Sequence, residues 1–479
     1  MKSDIIFKTK GGNHYLLDKN REMAIYLSPD LKKAIQEPDN ATNEYYNAKS
    51  KWLINNGFFN PMVTNFTTIT KESIDNQIEN LEQIVFEVTD NCNLDCKYCG
   101  YGTLYENYDV RKKNKMSTMM GKTLLDYFFE LWNNSKYKPN PPRRIYLSFY
   151  GGEPLLNMPF IKEMVQYTLQ HPSKFYYFEN TMTTNAILLD KHMNYLVENN
   201  FSLLISLDGS VANNAYRVYP SGKPSFDKVY NNIKLLQNTY PEFFKKRVSI
   251  NSVLHNKNSV SDIHKFIKEA FNKVPSTGSL NSSGIKEDKR DEFHEMFKNL
   301  QQSFNESDNY TELSKEMYFS IPNKRTLVEF IFAYSGNVFR HYHDLFLEKA
   351  IKERRQTGTC VPFEKKLFVT VNGKILPCTT VGQNYPLGFI TNDKVELNSQ
   401  YLADKYQHYY DKLNEQCKEC FKLDSCKECI YFMVSKNKHF VCNKYLNESD
   451  FRNQLSFVYT EMENTPAEYK NILENINIE

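Results

Sequence analysis

The rhythm of apolar and polar positions divides this chain into three stretches. Near the N-terminus, short strand-like runs at Ile5–Lys8, His14–Leu17 and Met23–Leu27 are separated by Gly11-Gly12-Asn13 and Asp18-Lys19-Asn20-Arg21. Such runs bounded by turn residues predict three small strands. Ser28-Pro29-Asp30 then opens a helix, with serine as cap and proline in the first turn, and a second helix is predicted from Tyr45 to Asn55, ending at Gly57. From Leu81 to about Ser279 the pattern becomes a regular alternation. Strands are predicted at Ile84–Val88, Ile145–Phe149, Phe175–Met182, Leu203–Leu207 and Val248–Val253. Amphipathic helices lie between and after them at Lys122–Asn133, Ile161–His171, Lys191–Asn199, Phe226–Gln237 and Ser259–Phe271. This βα alternation argues for a parallel sheet with helical crossovers, curled into a partial or full barrel. Sites in that architecture lie at the C-terminal ends of the strands. Residues 281–355 are charged and helix-prone and form a bridging segment. A cysteine-rich block covers 356–450, and 451–479 is a polar tail.

Composition narrows the partners. The chain has 479 residues, enough for two to four domains. Net charge is +3 with 24% charged residues, so no nucleic acid is implied, and the run Arg111–Lys115 reads as a solvated loop. No apolar h-region follows Met1-Lys2-Ser3-Asp4, and no stretch approaches the roughly 18 apolar residues of a membrane helix. The chain therefore reads as soluble and cytoplasmic with no membrane partner. Ten cysteines in such a compartment argue for metal or redox centres over disulfides.

Three of them stand in Thr89-Asp90-Asn91-Cys92-Asn93-Leu94-Asp95-Cys96-Lys97-Tyr98-Cys99, directly after the first strand of the alternating region. Four thiolates fill a [4Fe-4S] cluster; three leave one iron open to another ligand. A structural zinc site takes four ligands, and this spacing is not a disulfide signature in a long chain of this kind. The spacing, the aromatic Tyr98 before the third cysteine and the upstream strand resemble the radical S-adenosylmethionine (SAM) superfamily. The resemblance implies a partial (β/α)6 TIM-like barrel over residues 80–280. It also implies a cluster on Cys92, Cys96 and Cys99 whose open iron chelates SAM, and reductive cleavage of SAM to methionine and a 5′-deoxyadenosyl radical.

Further elements match the same family. Tyr150-Gly151-Gly152-Glu153-Pro154 follows the second strand, where paired glycines let backbone approach a ligand closely. The family's GGEP element binds the SAM amino group, although an ordinary turn with a capping glutamate has the same composition. Thr184 and Asn185 end the third strand, Ser206 and Asp208 the fourth. Arg217 stands where family members often carry His-Asp-x-x-Arg; the His-Asp pair is absent, yet a guanidinium can grip the SAM carboxylate bidentately. The resemblance thus puts Tyr98, Gly151, Gly152, Glu153, Thr184, Asn185, Ser206, Asp208, Arg217 and Leu254 at the cofactor. The plain alternatives are a helix cap for Ser206, a surface salt bridge for Arg217 and a core position for Leu254.

Seven cysteines remain. Gly373-Lys374-Ile375-Leu376-Pro377-Cys378 and Cys417-x2-Cys420-x5-Cys426 resemble the SPASM extension, which holds two auxiliary clusters. The family usually leaves three residues before the next cysteine; here two separate Cys426 from Cys429. The resemblance assigns Cys417, Cys420, Cys426 and Cys442 to the second auxiliary cluster, and Cys360, Cys378 and Cys429 to the first, which then has one iron without a cysteine. Two zinc-ribbon-like knuckles are the other reading. All ten cysteines are thereby used, and no catalytic acid, base or nucleophile is designated.

The first 75 residues resemble the winged-helix-like leader-recognition (RRE) domains of ribosomal peptide maturases, which bind a precursor's leader as an added strand. The alternative is an N-terminal extension packed on the next domain. Together the resemblances imply a radical SAM oxidoreductase with three [4Fe-4S] clusters, acting on a leader-bound precursor peptide and drawing electrons from a reductant such as flavodoxin or ferredoxin. Its product would be an intramolecular crosslink, first a thioether, then a carbon–carbon or ether link. An anaerobic sulfatase maturase making formylglycine, and an iron–sulfur or zinc adaptor that only binds peptide, are the other readings.

Overall fold

The structure, a computed structural model, describes residues 4–40, 42–60, 65–334, 354–357, 361–436 and 439–475. It divides into two compact units. One comprises Thr70–Pro322 with Cys360–Asp404, the other Met1–Ile69 with Asn323–Thr359 and Lys405–Glu479.

The N-terminal strands form as the pattern predicts. β1 (Asp4–Lys8), β2 (His14–Asp18) and β3 (Met23–Leu27) make an antiparallel meander in the order β1-β2-β3. Ser28 caps the helix Pro29–Gln36, its hydroxyl accepting the Leu31 N–H at 3.3 Å, and a second helix spans Glu44–Asn55. Leu16, Leu27, Leu31, Leu53 and Phe58 form the core beneath.

In the alternating region six parallel strands lie in sequence order: β4 (Gln83–Glu87), β5 (Arg143–Tyr150), β6 (Tyr176–Thr184), β7 (Ser202–Ser206), β8 (Val248–Leu254) and β9 (Ser276–Ser279). Helices Thr118–Asn134, Met158–Gln170, Leu189–Glu198, Phe226–Thr239 and Val260–Phe271 alternate with them. β4 is covered on both faces, so Ile84, Val85 and Phe86 are all buried, the run expected of a parallel strand between layers. β9 was not legible: Ser-Thr-Gly-Ser offers no apolar alternation, and its pairing with β8 defines it.

The division into domains differs from the expectation. Residues 356–450 do not form one body. β10 (Lys366–Val369) pairs parallel with β4, and β11 (Lys374–Leu376), β12 (Gly388–Ile390) and β13 (Val395–Leu397) continue antiparallel, extending the same sheet to ten strands. Residues 405–479 instead belong with the N-terminal meander. The helix Glu448–Asn464 lies along β1, where Arg452 Nη1 donates to the Ile6 carbonyl (2.8 Å) and Thr460 Oγ1 accepts the Lys10 N–H (3.0 Å). Glu463 Oε1 accepts from Asn13 (2.8 Å) and Tyr15 (2.9 Å). Lys19, at the β2–β3 turn, reaches Asp424 at 3.1 Å. Among the described residues no helix is long and apolar enough to cross a membrane.

Candidate functional site

The strand ends carry the site. After β4 the chain runs through Thr89–Asn91 into Cys92, Cys96 and Cys99, all partly exposed. Two neighbouring segments hold this loop. Residues 216–218 accept its amides, Asp95 N–H to Val218 O (2.7 Å) and Lys97 N–H to Tyr216 O (3.1 Å). The turn after β5 locks against its entry, Gly152 N–H to Thr89 O (2.8 Å) and Glu153 N–H to Asn91 O (2.9 Å). A Cβ on Gly152 would stand 2.0 Å from Asn91 O; one on Gly151, at φ +132°, would stand 2.4 Å from Thr89 O. The close backbone approach that the glycines permit is therefore to the cysteine loop itself.

Glu153 is likewise committed within the protein. It is 1% exposed; Oε1 accepts from Thr184 Oγ1 (2.6 Å) and Leu155 N–H (3.1 Å), and Oε2 from Asn185 N–H (2.8 Å). The carboxylate ties the end of β5 to the end of β6. Asn185 in turn donates to Asn93 Oδ1 (2.7 Å) and lies 3.6 Å from Cys92 Sγ. Ser206 closes β7 with its side chain partly exposed.

Arg217 differs from its expected role. The carboxylate its fork grips is Asp208, with Nε at 3.1 Å and Nη2 at 3.2 Å. Asp208 also accepts the Tyr98 hydroxyl and the Val253 N–H (2.9 Å), and His255 Nε2 lies 3.6 Å away. Burial pushes the Asp208 carboxyl up, but Arg217 and these donors outweigh it and hold the group below its usual range. The pair is a buried brace, not the surface salt bridge of the alternative reading. Leu254 is fully buried and packs as core, because no part of it is open to a ligand.

The donor set fits a three-thiolate cluster. Burial raises Cys92 to about 11 and Cys96 to about 12, each thiol pushed further by its neighbours, so these sulfurs carry their charge only with a cation to receive it. Asn93 Nδ2 and Arg111 Nε, beside the thiols, are buried donors without a hydrogen-bond partner. Arg111, which the charge pattern assigned to a solvated loop, places Nη2 3.8 Å from Cys99 Sγ. His255 and Glu87 also escaped the sequence reading. A glutamate inside the apolar run Ile84–Val88 was the available signal: Glu87 is 2% exposed, and burial pushes its carboxyl up to about 7.

In the other unit, Cys417, Cys420, Cys426 and Cys442 line one pocket with Gln356, Gln416 and Glu428. Burial and mutual repulsion push Cys417 up to about 12, and burial also raises Cys442. Four thiols around one space fit a four-thiolate centre. Cys429 is not in that lining. Cys378 belongs to the sheet unit, its Sγ 3.1 Å from Thr380 Oγ1, and Cys360 lies outside the described residues. His264, Glu312 and Glu316 also bring three ligand atoms together, but Lys268 bridges both carboxylates as an ion pair.

Residues 86–270 match the model of the Radical SAM superfamily. This stretch is a radical SAM domain. The cysteine-type anaerobic sulfatase-maturating enzyme of Clostridium perfringens (strain 13) is 24% identical over 382 residues, 77% of this chain and 91% of that protein. The radical SAM cyclopropyl synthase TigE of Paramaledivibacter caminithermalis is 26% identical over 188 residues, 37% of each. The chain spans 59% and 49% of the length of two further curated relatives. Native anSMEcpe, solved with bound AdoMet, superposes at a TM-score of 0.55 with 20% identity, covering 83% of this chain and 100% of that one. That likeness establishes the shared fold of the radical SAM domain and its parallel sheet.

Proposed function

We propose that this chain is a radical SAM peptide maturase that crosslinks a ribosomally made precursor. The observation that carries the reading is the three-thiol loop at the C-terminal edge of the sheet, clamped between the Gly151-Gly152-Glu153 turn and residues 216–218. Cys92, Cys96 and Cys99 would hold the cluster that receives SAM, and reductive cleavage of SAM there supplies a 5′-deoxyadenosyl radical. The chain's own residues prepare that place. Gly151 and Gly152 admit the cysteine loop, Glu153 aligns the ends of β5 and β6, and Asp208 with Arg217 fixes the β7 and β8 ends around Tyr98. Thr184, Asn185 and Ser206 present short polar groups at the same edge, suited to ribose or methionine atoms of SAM.

The four-thiol pocket supports a second centre that accepts the electron left when the peptide radical closes a bond. Cys378, Cys429 and Cys360 are the ligands proposed for the first auxiliary centre. A peptide partner is supported by the N-terminal meander: among the described residues β3 has an unpaired edge, with Met23 (47%) and Tyr26 (54%) exposed. An extended leader can add there as a strand. A thioether is the first product class and a carbon–carbon or ether link the second.

The alignment with a sulfatase-maturating enzyme over 77% of the chain favours a second reading, oxidation of a cysteine or serine to formylglycine. Incubating reduced, reconstituted protein with SAM and a cysteine-containing candidate precursor peptide separates the two. A crosslinked peptide resistant to reduction supports the maturase; an aldehyde trapped by a hydrazide probe supports the second reading.

A further inference from the structure

The segment Arg111–Met116 carries four cations in its sequence, yet its backbone is strapped to the entry of the cysteine loop. Met116 N–H donates to Val88 O (3.1 Å), Lys112 N–H to Asp90 Oδ2 (2.9 Å), and Asn114 O accepts from Thr89 Oγ1 (2.6 Å) and Asp90 N–H (3.2 Å). This strap delivers the Arg111 side chain to the thiols. The guanidinium carbon lies 4.4 Å from the centre of the Tyr101 ring, and Nη2 lies 3.8 Å from Cys99 Sγ. Nε is buried and has no acceptor. A solvated arginine keeps all its donors in water; this one is half-buried, and its Nε is out of water with no acceptor.

The unmet donor identifies what is expected beside it. A cluster on three thiolates is anionic and gains a further negative charge on reduction. Cations and N–H donors next to its sulfurs stabilise the reduced form and so raise its potential. Arginine suits this task because its charge is permanent and its planar fork stacks on an aromatic face. Tyr101 is two residues beyond Cys99, so the shelf and the ligand belong to one loop.

We propose that Arg111 is a positioning residue of the radical-generating centre: its guanidinium, shelved on Tyr101, donates to the sulfur of Cys99 and sets the reduction potential of the cluster. The proposal rests on Cys92, Cys96 and Cys99 being the cluster ligands.

The test uses the full chain, reconstituted anaerobically as wild type, Arg111→Gln, Arg111→Lys and, as control, Lys112→Gln, whose side chain is exposed. Iron content is measured first. The reduced cluster is then titrated by electron paramagnetic resonance, following the signal that SAM perturbs. Arg111→Gln is expected to lower the ratio of reduced to oxidised cluster at a fixed applied potential about tenfold, a shift of about 59 mV to more negative values for one electron. Arg111→Lys recovers part of the shift, and Lys112→Gln matches wild type. Loss of iron in Arg111→Gln but not in Arg111→Lys also supports the proposal. An unchanged potential in Arg111→Gln, or equal loss of iron in both variants, overturns it. A wild type with no SAM-sensitive signal overturns the ligand assignment and the proposal together.

Discussion

Asp208 shows how much of this site depends on single side chains satisfied by one another. Removing Arg217 leaves a carboxylate in the interior with its cation gone, so Arg217→Met should destabilise the sheet unit by about 3–5 kcal/mol in urea unfolding. A cost below about 1 kcal/mol would show the pair to be incidental. Glu87 makes a pH prediction. Its carboxyl, ordinarily at 4.5, is raised to about 7 by burial. Between those values the folded chain holds a proton that the unfolded chain has released. Cluster-free protein should therefore lose stability as pH rises through that window, by on the order of 3 kcal/mol, and level off above it. Glu153, also raised by burial to about 7, adds in the same direction. Glu87→Gln keeps the acceptor for the Val371 N–H and should make the decline shallower; an identical profile would remove Glu87 from the account. The cysteine triplet was legible in the sequence because its information is a spacing along one loop. The partners of Asp208 were not, since Tyr98, Arg217 and Val253 meet it only after β4, β7 and β8 align.

Elements were more legible than their contacts. Five of the six parallel strands follow from hydrophobic runs, and the cysteine loop falls at a strand end as that pattern requires. The role of Gly151 and Gly152 was half legible: a need for close approach could be read, but the partner, the chain's own Thr89 and Asn91, could not. Gly152→Ala puts a Cβ 2.0 Å from Asn91 O, against backbone that cannot yield without moving Cys92. The variant should fold, because the site lies at the rim of the sheet, yet bind less iron at the triplet. Wild-type iron content in Gly152→Ala would show that the loop does not need this lock.

Across the whole molecule, the sequence reads as a leader-recognition domain, or an N-terminal extension packed on the next domain, followed by a barrel, a bridging segment and a cysteine-rich block. The structure groups the N-terminal meander and residues 405–479 in one unit. Beside the contacts of the helix Glu448–Asn464, the join includes a long-range ion pair that no local pattern announces. Lys19 is fully buried; Asp424, two residues before Cys426, is shared with Arg354 Nη2 at 2.9 Å. Lys19→Met leaves Asp424 short of one cation and should cost about 3–5 kcal/mol in this unit. It should also lower iron at the four-thiol pocket while SAM cleavage persists. Deleting residues 1–60 is expected to do the same and to weaken precursor binding; retention of full iron by both would separate the meander from that centre.

Cys92, Cys96 and Cys99 are proposed here to hold the cluster at which SAM yields a radical. The most direct measurement is 5′-deoxyadenosine formed from SAM by the reduced, reconstituted protein under strict anaerobiosis, compared with Cys92→Ala, Cys96→Ala, Cys99→Ala and Cys429→Ala. Wild type and Cys429→Ala are expected to release it, and the three triplet variants to release none. No 5′-deoxyadenosine from iron-loaded wild type, or equal loss from all four variants, would contradict that role.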